Sequence, residues 1–366
     1  MIDTPFLAVD VARLDRNLAT MADRSATAGI ALRPHAKTHK CDEIARRQIS
    51  SGATGLTVAT IGEAETFAAG AAHSGCTDLF IAYPLWVTPH KGARLRALAE
   101  QVSLRIGVDS VESARRLGAE LGNGWAGEHP RVEVVIEVDS GAHRTGVAPA
   151  DAGTVAAGAR AAGLDVVGVF TFPGHGYGLG EARRRAAEQE VTALARAAES
   201  LRTYGIEPRV RSGGSTPTVE FAAPGVLTEI RPGVYPFNDA QQIELGSCGF
   251  DDVALTAVAT VVHRSGNRVV ADAGSKIIGA DRPGWASGHG RILDEPDARI
   301  VSLSEHHAVI EYPTESASEA IPGLGAVIKV IPNHVCTAMN LVDTVVAFEP
   351  DTDPTVWPVT ARGANG

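Results

Sequence analysis

The chain has 366 residues, a length that corresponds to about two domains. Hydrophobic residues make up 44% and charged residues 21%, which is the balance of a globular protein with a sizeable core. The net charge of −10 argues against general nucleic-acid binding, and no apolar run is long enough to cross a membrane.

The N-terminal segment and the spacing of the cysteines indicate where in the cell the protein is expected. Acidic side chains stand where a secretory signal carries cations, and the apolar stretch that follows is interrupted. The four cysteines lie far apart and match neither a disulfide scaffold nor a CxxC pattern: Cys41, Cys76, Cys248 and Cys336. We therefore expect a cytoplasmic protein.

Helix-like and strand-like segments alternate through about the first two thirds of the chain. Helical patterns occupy residues 11–29, 41–53, 61–75, 90–102, 111–122, 150–163 and 181–205. Short apolar runs predict strands at residues 30–33, 56–59, 78–82, 103–108, 131–138, 165–172, 209–211 and 228–234. Eight such units predict a parallel (β/α)8 barrel of the TIM type, and an open doubly wound sheet is the alternative.

The pattern changes near residue 242. From there, apolar and polar residues alternate, glycines and prolines punctuate the segments, and no long helical run occurs, which is typical of an antiparallel β domain. We therefore expect a barrel over residues 8–242 and a C-terminal antiparallel β domain over residues 243–366. Residues 1–7 are expected to join the β domain, because the strand-like segment at residues 4–10 precedes the first barrel helix.

The most informative stretch is the basic segment at residues 33–40. On a strand, every second side chain shares a face, which would put four basic side chains in one row: Arg33, His35, Lys37 and His39. A lysine among cations near a low-dielectric interior has its ammonium form disfavoured, and the free amine can form a Schiff base. Lys37 is therefore the candidate nucleophile. The alternative is an exposed basic strand end or an ordinary anion site.

A glycine-rich turn follows the seventh predicted strand. Gly213 and Gly214 let the backbone approach a ligand closely, while Thr216 can cap a following helix with Pro217 at its first position. Phosphate sites in barrels recur after the seventh and eighth strands, at helix N-termini. The turn is thus a candidate phosphate site, and a plain strand-to-helix turn is the alternative.

One cofactor would use both features. Pyridoxal 5′-phosphate (PLP) carries an aldehyde, which Lys37 would hold, and a phosphate, which residues 214–216 would hold.

Five motifs follow one another along nearly the whole chain: RPHAKTHK at 33–40, VDSGAHRTG at 138–146, SGGST at 212–216, RPGVY at 231–235 and PNHVC at 332–336. Through these motifs the sequence resembles the fold-type III PLP enzymes of the alanine racemase-like superfamily, and within them the D-serine dehydratase and D-threonine aldolase group. The lysine motif and the late His-x-Cys motif are specific. The resemblance implies a PLP barrel followed by a β domain, working as a homodimer with sites shared between subunits.

The resemblance also implies roles for individual residues. Lys37 would bind PLP as a Schiff base, and Arg144 would lie near the pyridine ring and its phenolate oxygen. The residues placed near the phosphate are Gly214, Ser215, Thr216, Gly233 and Tyr235. Cofactor contacts are further predicted for His35 and Tyr177.

A candidate metal site lies near the C-terminal end. His334 and Cys336 would project from one face of a strand, and an imidazole with a thiolate suits zinc, with manganese or magnesium as other candidates. A lone His-x-Cys is more often a buried cysteine beside a surface histidine. The resemblance instead identifies the pair with the dehydratase metal site. Aldolases of the group are similar but carry an aspartate where this chain has Cys336.

His175 and Tyr177 follow the sixth predicted strand in a glycine-rich stretch. Their side chains would reach the barrel mouth, where His175 is a candidate acid or base. The alternative is a plain glycine-rich loop between a strand and a helix.

Together these features favour a lyase acting on a β-hydroxy D-amino acid, with a small-molecule substrate and neither nucleic acid nor membrane as partner. In the dehydratase version Lys37 removes the α-proton, the metal on His334 and Cys336 activates the β-hydroxyl, and a 2-keto acid and ammonia result. In the aldolase version His175 is a plausible base, and glycine and an aldehyde result. Further alternatives are an amino-acid racemase, a non-catalytic PLP carrier and a sugar-phosphate barrel enzyme. D-Serine, D-threonine and 3-hydroxyaspartate remain open as substrates.

Overall fold

A computed structural model describes residues 2–122, 132–314 and 321–366. These residues form two compact units. The sheet unit comprises the described residues within 2–20, 38–41 and 234–363, and the barrel unit those within 21–37, 42–233 and 364–366. The boundary expected between residues 242 and 243 stays a prediction, and Met1 lies outside the described residues.

The chain begins with strand β1 (Phe6–Asp10) and helix α1 (Val11–Ala28). Strand β1 pairs with two strands of the sheet unit, as predicted for the segment at residues 4–10. Helix α1 contributes residues to both units.

The barrel unit contains a parallel sheet of eight strands within the described residues. They are β2 (Ala31–Leu32), β3 (Leu56–Val58), β4 (Asp78–Ile81), β5 (Ser103–Val108), β6 (Glu133–Glu137), β7 (Asp165–Phe170), β8 (Val210–Gly213) and β9 (Glu229–Ile230). Their order is β2-β9-β8-β7-β6-β5-β4-β3, and a parallel bridge from His35 to Thr57 links the two ends of that order. The predicted parallel barrel is confirmed; Arg131, at the start of the fifth predicted strand, lies outside the described residues.

Helices cover the strands, which explains why the strands read as nearly continuous apolar runs. The helices are α2 (Asp42–Ser50), α3 (Ile61–Ala69), α4 (Ala71–Ser74), α5 (Pro89–Ala99), α6 (Val111–Gly122), α7 (Ala152–Ala161) and α8 (Ala182–Thr203). The helix predicted at residues 61–75 is two helices, because Gly70 ends α3 and precedes α4. An Asp42 carboxylate oxygen lies only 2.3 Å from the position of a Cβ on Gly70, so a larger residue would clash there.

The barrel core is built from aromatic and branched side chains. Phe80, Val135, Val167 and Phe170 form one buried cluster, in which the rings of Phe80 and Phe170 meet edge to face with centroids 5.1 Å apart.

The sheet unit is mainly antiparallel, as predicted. Its later elements are α9 (Ala240–Glu244), β10 (Leu255–Ser265), β11 (Arg268–Ala271), α10 (Ser275–Ile278), β12 (Gly290–Ile292), β13 (Arg299–Leu303), β14 (Ala308–Glu311), β15 (Val327–Pro332), α11 (Val335–Leu341), β16 (Thr344–Phe348) and β17 (Thr355–Pro358). The strand order is β13-β14-β11-β10-β1-β16-β17, with β15 also paired to β10 and β12 to β15. Strands β1 and β16 run parallel.

Among the described residues, no helix combines the length and apolarity that crossing a lipid bilayer requires.

Candidate active site

Lys37 lies in a single turn of 3-10 helix, Ala36–Thr38, beyond the end of β2. Its side chain is half-buried, and its Nζ lies 5.7 Å from the centre of the Phe172 ring. Its amide donates a hydrogen bond to His35 Nδ1 at 3.4 Å. Lys37 thus places its amine over an aromatic face within the barrel unit.

The predicted row of four basic side chains on one strand is wrong. Strand β2 ends at Leu32, and the 3-10 turn breaks the alternation that a strand would give. Arg33 is buried and pairs with Glu229 at 2.7 Å and with Asp78 at 2.8 Å. Burial opposes the charge of Arg33, but these carboxylates outweigh it and raise the pKa of the guanidinium. Arg33 therefore forms buried ion pairs within the barrel unit instead of joining a row of basic side chains.

His39 also leaves the predicted row. It is fully buried in the sheet unit, where its Nδ1 accepts a hydrogen bond from the Cys41 amide at 3.1 Å.

Arg144 meets the same aromatic ring as Lys37. Its guanidinium carbon lies 5.3 Å from the centre of the Phe172 ring. A turn built on Asp139 holds this segment, since the Asp139 carboxylate accepts hydrogen bonds from the amides of Gly141 at 2.8 Å and His143 at 3.0 Å. Burial alone would raise the pKa of Asp139, but these bonds and the His143 side chain lower it, so the turn keeps its charge.

Phe172 is a site residue that sequence reasoning missed. Only its place at the start of the glycine-rich stretch after β7 could have drawn notice. Its ring lies 6.5 Å from that of Tyr177, centre to centre, and both side chains are half-buried. The structure therefore groups Lys37, Arg144 and Tyr177 around Phe172.

The candidate phosphate turn follows β8. Gly214 has a φ of +78°, which glycine adopts without strain, and the side chains of Ser215 and Thr216 are buried. The predicted cap by Thr216 is wrong, because residues 216–218 form a turn and only the 3-10 helix Val219–Phe221 follows. Thr218 supplies the local hydrogen bonds instead, accepting one from the Ser215 amide at 3.0 Å.

A second missed residue, Glu190 on α8, lies against this turn. Its Oε1 accepts a hydrogen bond from the Gly214 amide at 2.6 Å. Burial raises the pKa of Glu190 to about 7, although that hydrogen bond and the charge of Arg231 lower it. A lone glutamate on the apolar face of a long helix was the available signal.

The RPGVY motif is divided between the units. Arg231 is buried in the barrel unit, where it donates a hydrogen bond to the Thr171 carbonyl and lies 5.2 Å from the centre of the Phe170 ring. Gly233 ends that stretch of the barrel unit, and Tyr235 is buried in the sheet unit. Their predicted contact with a phosphate stays a prediction.

Four buried polar side-chain atoms of the barrel unit have no hydrogen-bond partner among the described residues. They are Asp42 Oδ1, Glu137 Oε2, His175 Nδ1 and Arg231 Nε. Burial raises the pKa of Glu137, against the opposing effects of Thr145, Arg144 and Arg231. Unpartnered buried polar atoms in the same unit as a half-buried lysine and a glycine turn fit a polar, phosphorylated cofactor such as PLP.

The His-x-Cys pair does not lie on a strand, contrary to the prediction. Strand β15 ends at Pro332, His334 precedes α11, and Cys336 lies in its first turn. Asn333 fixes this change of direction, because its amide donates to the carbonyls of Asp281 at 2.9 Å and Gly288 at 2.8 Å. The His334 and Cys336 side chains still hydrogen-bond each other.

Asp239, a third missed residue, orients His334. It is fully buried, and its Oδ2 lies 3.2 Å from His334 Nδ1, which leaves Nε2 as the nitrogen available to a metal. Burial would lower the pKa of His334, but Cys336 and Asp239 raise it well above its ordinary value. The Thr38 hydroxyl lies 3.2 Å from Cys336 Sγ.

The donor set of this pair fits a divalent metal. One imidazole nitrogen and one sulfur suit zinc. Within the ranges that the structure describes, no group of three or more His, Cys, Asp or Glu side chains could hold a metal. The His334–Cys336 pair would supply two ligands and leave positions for water and substrate.

His175 lies in the 3-10 helix Gly174–Gly176 and is half-buried. Its Nε2 lies 2.8 Å from Gln189 Oε1, and its Nδ1 is buried with no partner among the described residues. Because the amide oxygen accepts, Nε2 carries the proton and Nδ1 is the basic nitrogen. His175 is thus able to accept a proton.

Two family models match the chain. Residues 9–240 match "Alanine racemase, N-terminal domain", and residues 254–348 match "Putative serine dehydratase domain".

Two relatives match along nearly their whole length. D-threo-3-hydroxyaspartate dehydratase of Delftia sp. strain HT23 is 34% identical, over 97% of this chain and 97% of that protein. D-threonine aldolase of Arthrobacter sp. is 33% identical, over 99% of this chain and 93% of that protein.

The solved structure of the Delftia dehydratase is also similar. It has a TM-score of 0.87 and 31% identity, covering 98% of this chain and 97% of that chain. A cysteine-to-alanine mutant of a D-threo-3-hydroxyaspartate dehydratase, described as in the metal-free form, has a TM-score of 0.86 with 31% identity, over 98% of this chain and 97% of that chain.

Proposed function

Because the chain belongs to the alanine racemase-like family of fold-type III PLP enzymes, we propose that it is a PLP- and divalent-metal-dependent lyase acting on β-hydroxy D-amino acids. The proposed reaction is the elimination of water by a D-serine dehydratase-type mechanism, which yields a 2-keto acid and ammonia. The relatives named for D-threo-3-hydroxyaspartate and D-threonine support this substrate class.

One observation carries the choice of dehydration. His334 and Cys336 lie together at the start of α11, inside the serine dehydratase match, and Asp239 orients the imidazole. A cysteine-to-alanine mutant of a D-threo-3-hydroxyaspartate dehydratase is described as metal-free, which supports the proposed metal role of Cys336. Zinc suits a sulfur and nitrogen donor pair, with manganese and magnesium as further candidates.

Four of the residues that would hold PLP lie in the barrel unit. Lys37 Nζ would bind its aldehyde carbon, Ser215 and Thr216 would bind its phosphate, and Arg144 would lie near the ring. Arg231 Nε and Glu137 Oε2, both buried without a partner among the described residues, support a polar group there. When bound, PLP supplies an electron sink for the negative charge that develops at the α-carbon of the substrate.

The side chains of the protein have separate roles in the proposed elimination. Lys37 Nζ takes the α-proton, because a freed amine can act as a general base. His334 and Cys336 would hold the metal, which would supply Lewis-acid chemistry for the β-hydroxyl. Loss of the α-proton and the hydroxyl releases one water molecule, and hydrolysis of the dehydrated product releases ammonia.

The working form is proposed to be a homodimer with a small-molecule D-amino acid as substrate. His35, Tyr177, Gly214, Gly233 and Tyr235 are proposed as further cofactor contacts. The D configuration of the substrate is proposed from membership of the family alone.

A retro-aldol cleavage is the second candidate. It is favoured by His175, whose basic Nδ1 is buried and unpartnered among the described residues and would take the proton of the β-hydroxyl. The products would be glycine and an aldehyde.

Metal content and product formation in a Cys336→Ala variant test the proposal. We expect the variant to lose bound metal, measured by elemental analysis, and to lose 2-keto acid formation while its fold is retained. Cys248→Ala is the control, because Cys248 is a half-buried cysteine that lies outside the His334–Cys336 pair. A Cys336→Ala protein that keeps metal and keto acid formation would refute the metal assignment.

A further inference from the structure

One buried acid, Glu190, has no part in the proposed chemistry. It stands on the inward face of α8 among the buried residues Ala186, Ala187, Ala193 and Leu194, and is itself 2% exposed. A carboxyl group on such a face costs free energy unless a polar partner meets it.

The partner is the backbone of the candidate phosphate turn. Glu190 Oε1 accepts the Gly214 amide hydrogen bond at 2.6 Å. A Cβ added to Gly213 would lie 2.3 Å from the same oxygen, so glycine leaves the room that the carboxyl group occupies. The adjacent Gly214 takes the left-handed conformation that the turn requires. The two glycines and the glutamate are therefore fitted to each other.

The turn's own hydroxyl groups hold its other side. The Ser215 amide donates to Thr218 Oγ1 at 3.0 Å, and the hydroxyl oxygens of Ser215 and Thr218 lie 2.9 Å apart. Glu190 is thus an anchor that another element, α8, supplies to this turn, in addition to the local bonds and to the Arg231 amide, which donates to the Gly213 carbonyl at 2.8 Å.

We propose that Glu190 is a positioning residue for the cofactor's phosphate group, fixing the backbone at residues 213–214 so that Ser215 and Thr216 are presented to that group. This inference rests on the proposed PLP-dependent function. It gives Glu190 no contact with substrate and no proton transfer.

The protonation state of Glu190 determines which substitution should preserve its positioning role. Burial raises its pKa to about 7, against the Gly214 hydrogen bond and the charge of Arg231. A protonated carboxyl group still accepts the Gly214 bond through its carbonyl oxygen, and it does not repel an anionic phosphate. Glutamine reproduces that neutral acceptor. Methionine has a similar length but leaves the buried Gly214 amide without an oxygen acceptor.

The test compares PLP with pyridoxal, which lacks the phosphate. The full chain, freed of cofactor, is titrated with each compound and binding is followed by absorbance, for the wild type, E190Q and E190M. We expect E190M to raise the Kd for PLP about tenfold, the effect of one unsatisfied buried amide, and to leave the Kd for pyridoxal within about twofold. E190Q should bind PLP within about threefold of the wild type.

Several results would overturn this role. An E190M protein that binds PLP as tightly as the wild type contradicts it, and so does an equal loss for PLP and pyridoxal. If E190M does not fold, judged by circular dichroism, G213A tests the same contact, because its Cβ displaces the carboxyl group; unchanged PLP binding by G213A rejects the role. A wild-type chain that binds neither PLP nor pyridoxal refutes the proposed function and this role with it.

Discussion

Lys37 is the residue on which the proposed reaction depends most. Its Nζ approaches the Phe172 ring from a 3-10 turn, where the amine is half-buried and reachable. We expect Lys37→Ala to abolish the absorbance of the lysine-bound cofactor and to lower turnover by at least roughly 10²–10⁴-fold, the range typical of a general acid or base. Absorbance spectra and 2-keto acid release measure the two effects.

Lys91 provides the matched control for that experiment. It lies at the start of α5, where its amide bonds to the capping Thr88 hydroxyl, and it is not among the predicted site residues. Lys91→Ala should keep cofactor absorbance and turnover. A Lys37→Ala protein with the wild-type spectrum would show that another group holds the cofactor.

Asp239 sets the orientation of the candidate metal ligand His334. Its Oδ1 accepts the Gln242 amide at 2.9 Å as the cap of α9, while Oδ2 meets His334 Nδ1. Asp239→Asn keeps a good helix cap but weakens acceptance from the imidazole. We expect metal affinity to fall by roughly 10–100-fold, as for other groups that orient a metal-binding histidine. Calorimetric titration with Zn²⁺ measures the loss.

An exposed aspartate in the same unit controls for the charge change. Asp343 pairs with Arg362 at the surface, where its side chain is 83% exposed. Asp343→Asn should leave metal affinity unchanged, and an equal loss in both variants would reject the orienting role.

At the scale of elements, a buried ion network joins β9 and β5 to Arg33, the residue that follows β2. Glu229 on β9 pairs with Arg33 at 2.7 Å and with Arg105 on β5 at 3.2 Å. Burial alone would raise the pKa of Glu229, but the two arginines lower it below its ordinary value. A carboxylate with a depressed folded-state pKa stabilises the fold at pH values above the pKa of the unfolded chain. That contribution is lost as pH falls through the folded-state pKa.

Glu229→Gln tests this network. Because it leaves buried arginine charge without its central partner, we expect the free energy of unfolding at neutral pH to fall by about 3 kcal/mol. Its decrease in acid should also be shallower than in the wild type. Urea unfolding from neutral to acidic pH measures both effects.

The exposed Glu188, which pairs with Arg184 on α8, is the control, and Glu188→Gln should leave stability unchanged. Equal stability of Glu229→Gln and the wild type would contradict the network's role.

The sequence predicted most elements, because their periodicity is local. Apolar runs such as Ser103–Val108 and helical patterns such as Ala182–Thr203 indicate from the sequence alone which side chains are buried. The failures lie where a strand gives way to a turn. Alternation suggested that residues 33–40 continue a strand, but the distant Glu229 draws Arg33 inward. At residues 332–336, the bonds of Asn333 to distant carbonyls accompany the end of the strand.

For the molecule as a whole, the motifs identified residue types but not their partners. Asp239 lies 95 positions before His334, and Glu190 lies 24 positions before Gly214. Neither acid belongs to a motif, so only the fold could associate them with the metal pair and the phosphate turn. Phe172 is a similar case. Its ring is recognised as part of the candidate site only because the structure places Lys37 and Arg144 near it.

The most direct test of the central claim is product analysis by the wild-type enzyme. The full chain is supplied with PLP and Zn²⁺ or Mn²⁺, then given D-serine, D-threonine or D-threo-3-hydroxyaspartate, with and without EDTA. We predict a 2-keto acid and ammonia from at least one of these substrates, lost on chelation and restored by metal. Glycine with an aldehyde and no keto acid would contradict dehydration in favour of retro-aldol cleavage. Alanine racemisation that persists in EDTA, with neither product, would contradict the metal-dependent lyase.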